Sequence, residues 1–180
     1  MKTTIALLAA LLAAAPLIAQ RPASRSFVTD DDDGKVEIYR HGDAPAAAAL
    51  RQPVVEILFA GAGWDRATKE ALTEHLRAMA IVAGAREVAV PARANDLHVQ
   101  ALLERALRDR GGDVIHVVFL GRGVVSTLGA SQAGRDYDSY HSTVHVHDTS
   151  VRYVVVPWND DAARVREAAA ESVARAVPSP

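Results

Sequence analysis

The 180-residue sequence contains no cysteine. This absence excludes the disulfides that stabilise small secreted domains, a thiolate nucleophile, cysteine metal ligands and a lipid anchor attached through cysteine. An excess of charge of one sign is also missing, because 20 basic and 22 acidic residues give a formal net charge of −2. Proteins that bind nucleic acid or anionic membranes use a strongly basic surface, so we expect neither partner.

Long apolar runs are scarce, and the longest lies at the amino terminus. Lys2 precedes an uninterrupted apolar stretch at residues 5–15, which Pro16 ends, and Ala19 offers a small residue for cleavage. The stretch is shorter than the roughly 20 residues that span a bilayer. A positive residue, a short apolar run and a small residue are typical of a secretory signal peptide. We therefore predict a signal peptide at residues 1–19 and an exported protein, periplasmic or secreted, that leaves the membrane after cleavage.

Residues 20–34 are polar and end in four aspartates followed by Gly34. An acidic run beside a glycine suggests a calcium-binding loop, but that register would place Arg40 where a carboxylate ligand is required. We therefore predict an acidic, flexible linker here. Residues 35–180 are predicted to form a single α/β domain.

Strand-like and helix-like segments alternate through this domain. The pattern predicts strands at 35–39, 54–59, 87–91 and 114–120 and a final strand pair at 143–146 and 152–156. It also predicts a helix at 65–83, a helix capped by Asn95, and a last helix capped by residue 159 or 160 with Val165, Ala169 and Val173 facing inward. Residues 121–134 are expected to hold a short helix. Alternating strands and helices favour a three-layer α/β sandwich with a mainly parallel sheet, helices on both faces and an antiparallel edge hairpin.

Ligands of such sheets bind beyond the carboxyl ends of the strands. Three arginines follow predicted strands, namely Arg40, Arg66 and Arg122, and His41 follows Arg40. A guanidinium group matches the geometry of a phosphate or a carboxylate, and a neutral imidazole can attack phosphorus. We therefore expect a cleft for a small phosphorylated or anionic molecule. Ordinary surface arginines on loops remain the alternative.

The segment VEIYRHGD at residues 36–43 resembles the strand and Arg-His-Gly signature that opens the histidine phosphatase (phosphoglycerate mutase-like) superfamily. Residues 58–71, 112–130 and 140–160 resemble later segments of that family in the same order. The resemblance implies a phosphohistidine at His41, with Arg40 and Arg66 holding the phosphoryl group and no cofactor. Gly42, Asp43 and Arg122 would then contribute to substrate binding.

Arg122 stands where the family carries a second histidine. Two functions therefore remain open: phosphomonoester hydrolysis through phosphohistidine, and a catalytically inactive module of the same fold that binds phosphate or another anion. A third alternative is metal binding by the histidine cluster at residues 141–148, in which His145 and His147 would share one face of a strand. A solvated hairpin explains the same cluster without a metal. His116, inside an apolar strand, is expected to be a hydrogen-bonded core residue.

Overall fold

The computed structural model describes residues 37–39, 52–107, 113–146 and 149–177, with the backbone alone for residues 37–39. The predicted signal peptide and the acidic linker lie outside these residues. The elements are β1 Glu37–Tyr39, β2 Val54–Ala60, α1 Arg66–Arg77, β3 Ile81–Val88, β4 Arg93–Asn95, α2 Asp96–Ala106, β5 Val114–Leu120, β6 Val125–Leu128, β7 Ser131–Gln132, β8 Ser139–Val146, β9 Thr149–Val156 and α3 Ala162–Ala176.

Six strands form one sheet in the order β1-β8-β9-β5-β2-β3. The pairs β9–β5, β5–β2 and β2–β3 are parallel, whereas β1–β8 and β8–β9 are antiparallel. The predicted α/β class is confirmed, but the sheet is mixed. The predicted antiparallel hairpin is present as β8–β9, but it is not outermost in the sheet, because the short strand β1 pairs with the outer side of β8.

The two strands at the centre of the parallel half, β2 and β5, carry the most continuous apolar sequence. Such runs occur where both faces of a sheet are covered. Successive side chains of β2 lie on opposite faces of the sheet. Ile57 and Phe59 pack with side chains of α1 and α3 on one face, while Leu58 packs with side chains of α2 on the other. The predicted strand at 114–120 coincides with β5.

Each helix begins at a side chain that accepts hydrogen bonds from the first turn. The carboxylate of Asp65 accepts from the backbone of Thr68 at 2.8 Å, and Asp161 caps α3 in the same way. Asn95 caps α2 in a reciprocal pair with His98, as the sequence predicted for Asn95. The prediction of a cap at residue 159 or 160 misses the real one by a residue or two, because Asp161 is the residue whose side chain reaches the free amides.

Helix α1 ends earlier than the spacing of its apolar residues predicts. The helix expected over 65–83 ends at Arg77, and β3 replaces the strand expected at 87–91. An amide–carbonyl bond of 2.8 Å from Ile81 to Pro53 starts the parallel pairing of β3 with β2. The sequence Ala-Ile-Val that follows the helix is compatible with a helix or a strand. Its pairing with β2 makes it a strand.

No helix forms at residues 121–134, where the sequence pattern favoured one. This segment instead carries β6 and β7, which join β4 in a separate three-stranded sheet. The hydroxyl groups of Ser126 and Tyr137 are both buried and lie 2.8 Å apart, which ties this small sheet to the residues that follow it. Glycines at 121, 123, 129 and 134 punctuate the segment and interrupt helix formation.

Candidate functional site

Three loops lie side by side at the carboxyl ends of the parallel strands β2, β5 and β9. They contribute Trp64, Arg122 and Trp158, all in positions beyond the last strand residue. The carboxyl end of a parallel sheet is where α/β folds bind ligands. We name these three residues together with Asp160 the carboxyl-edge cluster.

Glycines allow the first two loops to approach one another. Gly61 has a φ of +92°, which side chains rarely adopt, and its amide donates to the carbonyl of Val88 at 2.9 Å. Gly121 donates to the carbonyl of Ala60 at 2.8 Å. A Cβ atom on Gly121 would lie 2.4 Å from the carbonyl oxygen of Ala62. The loops therefore need glycine at both positions to bring Trp64 and Arg122 together.

The only two tryptophans of the chain meet in this cluster. The rings of Trp64 and Trp158 contact edge to face, with centroids 5.3 Å apart. Trp64 also packs on the buried ring of Phe59, at 5.1 Å between centroids, and its indole N–H points to the carbonyl of Ala60 at 3.4 Å. Both indoles remain partly exposed, so they form an aromatic surface anchored to the core.

Arg122 lies over this surface. Its guanidinium carbon is 5.2 Å from the centroid of the Trp158 ring, a cation–π contact. Arg122 also donates through Nη2 to Oδ1 of Asp160 at 3.0 Å, and the indole N–H of Trp158 donates to the same oxygen at 3.1 Å. The side chains of Arg122 and Asp160 are 69% and 84% exposed. Two donors thus converge on one anionic oxygen at an exposed position, where the ion pair itself contributes little to stability.

Arg66 does not join the carboxyl-edge cluster. Its side chain is 89% exposed and contacts Glu70, one turn further along α1, at 2.6 Å. It lines an open groove of about 650 Å³ between α1 and β3, and the lining residues do not include Arg122. In the part of the chain that the structure describes, Arg66 and Arg122 therefore serve two separate surfaces.

His41, Arg40, Gly42 and Asp43 lie outside the described residues. The strand that precedes them, β1, runs in the same direction as β2, β5 and β9, because β8 is antiparallel to both β1 and β9. Its last residue, Tyr39, pairs with Ser139. Four strand spacings of about 4.8 Å, roughly 19 Å in all, separate β1 from β2. The strands β1 and β2 thus end toward the same edge of the sheet at well-separated positions.

Of the two histidines predicted as metal ligands, one falls on the antiparallel half of the sheet. His145 is exposed on β8 and pairs with Ser150, while His147 lies outside the described residues. Within residues 52–107, 113–146 and 149–177, no three or more histidine, aspartate or glutamate side chains are grouped so that they could hold a metal ion.

His116 is a core residue, 3% exposed, as the sequence predicted, but its buried Nδ1 makes no hydrogen bond, contrary to the expectation of a hydrogen-bonded side chain. Its Nδ1 lies 3.4 Å from Oε2 of Glu56, and the other carboxylate oxygen of Glu56 is 3.2 Å from Nε of Arg86. Burial lowers the pKa of His116, and the charge of Arg86 acts in the same direction, while that of Glu56 opposes it. The cluster of Glu56, Arg86 and His116 lies beneath α2 and away from the carboxyl edge, because Glu56 and His116 are the third residues of their strands.

The sequence reasoning missed Trp64, Trp158 and the ligand-like position of Asp160. A usable signal was present, because both tryptophans of the chain follow predicted strands within five residues. The strand order needed to place them next to one another was not available from the sequence.

Comparisons with known proteins give no match from which a function could be assigned. No protein-family model matches the chain, and a search of curated proteins finds no match either. Among the described residues, no helix has both the length and the apolar character needed to cross a bilayer.

Proposed function

We propose that this protein binds a small anionic ligand, a phosphate or a carboxylate, at the carboxyl-edge cluster. The observation that carries the proposal is the convergence of Arg122 Nη2 and Trp158 Nε1 on one oxygen of Asp160, at 3.0 and 3.1 Å. The Asp160 carboxylate occupies the position that an oxygen of the ligand would take. Charge-assisted hydrogen bonds of this kind are the strong ones in anion recognition.

The exposure of the cluster supports exchange between Asp160 and a ligand. An ion pair as exposed as Arg122–Asp160 contributes about 0–1 kcal/mol, so an incoming anion displaces Asp160 at little cost. The indoles of Trp64 and Trp158 provide an apolar surface beside the anion site. Such a surface suits a ligand whose anionic group is attached to a ring or another apolar body.

The two indoles also report binding, because they are the only tryptophans in the chain. Inorganic phosphate, titrated at low ionic strength, is expected to change their fluorescence. Arg122→Gln is expected to weaken phosphate binding about tenfold or more, since a hydrogen bond to a charged group contributes about 1.5–3 kcal/mol. Asp160→Asn removes the competing charge and is expected to strengthen binding by up to about fivefold.

Arg105→Gln is the matched control, because Arg105 is an exposed arginine whose Nε donates to the carbonyl of Ala101 on the same helix, α2. It should leave phosphate binding unchanged. Equal affinities for phosphate in the wild type and in Arg122→Gln would remove the proposal.

A second candidate function is hydrolysis of a phosphomonoester through a phosphohistidine at His41, assisted by Arg40. The direction of β1 supports it, because β1 ends toward the edge that carries Arg122. In this candidate the whole chain is a divergent histidine phosphatase with the three-layer sandwich of that family. Incubation with glycerol 2-phosphate, followed by an assay for inorganic phosphate, separates the two functions. Release of inorganic phosphate that is lost in His41→Ala supports hydrolysis. Binding of glycerol 2-phosphate without release of inorganic phosphate supports the binding module.

We also propose that the protein is exported and acts in the periplasm or outside the cell. Support comes from Lys2 and the apolar run at residues 5–15. Expressed in a bacterium with its natural amino terminus, the protein is expected to appear outside the cytoplasm with a mass reduced by about 19 residues. Intact mass spectrometry of the fractions measures this, and a full-length chain confined to the cytoplasm would contradict export.

A further inference from the structure

Helix α2 differs from the other two described helices in the group that caps it. The side chains that begin α1 and α3 are the carboxylates of Asp65 and Asp161. Helix α2 begins instead at the reciprocal pair of Asn95 and His98, in which the backbone N–H of Asn95 donates to Nδ1 of His98 at 3.1 Å. A ring nitrogen accepts a hydrogen bond only while it carries no proton. The complete cap of α2 therefore requires a neutral imidazole.

Protonation of His98 opens this cap and adds a charge of the wrong sign. Histidine is the side chain whose charge ordinarily changes between about pH 5 and 8. A proton on Nδ1 turns the acceptor into a donor that faces the N–H of Asn95. The first turn also lies at the positive end of the helix dipole, where a cation is unfavourable. The carboxylate in the same turn, that of Asp96, already accepts from Gln100 at 2.7 Å and from Tyr153 at 2.8 Å.

A second histidine lies in a buried polar row under α2. Glu56 of β2, His116 of β5 and Tyr153 of β9 are paired side by side across the sheet, so their side chains leave the same face. All three are buried. The Nδ1 atom of His116 makes no hydrogen bond and lies 3.4 Å from Oε2 of Glu56. The row thus holds a titratable imidazole beside a carboxylate, in a sheet face that is otherwise mainly apolar.

Both ends of this polar row are bonded to α2. At the first turn of the helix, the Tyr153 hydroxyl donates to Oδ1 of Asp96 at 2.8 Å. At the last turn, Arg86 donates to the carbonyl of Ala106 at 3.2 Å. The Nε atom of Arg86 lies 3.2 Å from Oε1 of Glu56, which connects this contact to the row. The position of α2 is therefore coupled to the charges beneath it.

A proton on His116 disturbs those charges. It places a second cation beside the buried carboxylate that Arg86 already uses. Burial lowers the pKa of His116 more than the charge of Glu56 raises it, and the charge of Arg86 lowers it as well. A histidine with a lowered pKa in the folded state stabilises that state above about pH 6.5, and this stabilisation is lost as the pH falls below that value.

We propose that α2 is an acid-released helix, which loosens from the sheet when His98 and His116 take up protons and so uncovers the polar row. The two imidazoles act in the same direction, because one caps the helix in its neutral form and the other is buried under it in that form. Release also exposes the apolar face of α2, formed by Val99, Leu102 and Leu103.

Hydrogen exchange measured by mass spectrometry on the intact chain, at about pH 7.5 and about pH 5, tests this proposal. After correction for intrinsic exchange rates, the protection of the α2 amides is expected to fall about tenfold or more, because loss of a cap alone shifts the opening equilibrium about fivefold and the buried charge adds to it.

Helix α1 is the internal control for this measurement. Hydrogen bonds from Thr68 hold the pKa of its cap, Asp65, below the usual value, so the cap stays ionised at both pH values. His75 lies in the last turn of α1, where a positive charge is favourable. The protection of the α1 amides is therefore expected to change by less than about twofold. A protection of α2 that falls no more than that of α1 would overturn the proposal.

Two substitutions remove the titrating groups one at a time. His98→Gln supplies a side-chain oxygen that accepts from Asn95 without titrating, as glutamine does in a capping box. His116→Gln keeps a polar side chain in the row without the titration. Each is expected to remove part of the acid-induced loss of α2 protection, and the double variant all of it, with circular dichroism at about pH 7.5 showing each variant folded.

His75→Gln is the matched control and should keep the full response of the wild type. His98 is exposed, so its replacement leaves the core intact and His98→Gln tests the cap even if His116→Gln fails to fold. An undiminished loss of α2 protection in His98→Gln contradicts the proposal.

Discussion

Replacement of Glu56 by alanine is expected to lower the free energy of unfolding by about 3 kcal/mol. The carboxylate lies in the central strand β2, is 6% exposed, and contacts Arg86 at 3.2 Å and His116 at 3.4 Å. Removing one partner of a buried ion pair costs about 3–5 kcal/mol, because the other charge is left without compensation. Arg86 is 41% exposed and keeps a bond of 3.2 Å to the carbonyl of Ala106, so the lower end of that range applies.

Urea unfolding followed by circular dichroism measures this loss. Glu56→Gln keeps the volume and part of the hydrogen bonding and is expected to cost about 1–2 kcal/mol. Glu70→Ala, which removes the exposed partner of Arg66, is the control and should change stability by less than about 0.5 kcal/mol. If Glu56→Ala proved no more costly than Glu70→Ala, the buried cluster would have no role in stability.

Gly121→Ala is expected to destabilise the protein by about 1–3 kcal/mol or more and to disrupt the carboxyl-edge cluster. The added Cβ atom would lie 2.4 Å from the carbonyl oxygen of Ala62 and 3.1 Å from the indole nitrogen of Trp64. The first contact is with backbone and cannot be relieved by a side-chain rotation. The loops after β2 and β5 must therefore separate, which moves Trp64 relative to Arg122.

The readouts for Gly121→Ala are the unfolding midpoint, the tryptophan emission spectrum and phosphate affinity. Gly123→Ala separates backbone strain from steric conflict. Gly123 has a φ of +84°, but no atom lies within 4 Å of the added Cβ atom. The substitution is therefore expected to lower the free energy of unfolding by about 1 kcal/mol, from strain alone. An emission spectrum and a stability for Gly121→Ala equal to those of Gly123→Ala would show that close approach of the two loops does not matter.

The local signals in the sequence were sufficient where one physical requirement dominated. Continuous apolar runs identified β2 and β5, since only strands covered on both faces carry such sequences. Asn95 was recognised as a helix cap because its side chain satisfies amides that no other group reaches. The inward positions of α3, including Val165 and Val173, followed from helical spacing alone.

Local signals failed where pairing partners far along the chain decided the outcome. The boundary between α1 and β3 depended on whether residues 81–88 could pair with β2, and the structure of residues 121–134 depended on β4. The position of the hairpin was decided by β1, which lies about 100 residues before β8 and covers its outer side.

The sequence by itself determined the α/β class, the central strands, the absence of thiol and disulfide chemistry, and the presence of arginines after several strands. Only the tertiary structure decided which of these groups meet. Strand order separated Arg66 from Arg122 and joined Arg122 to Trp64, Trp158 and Asp160. The physical reason is that composition and periodicity report on burial and local geometry, whereas a binding site depends on which strands are neighbours, and that is set by long-range pairing.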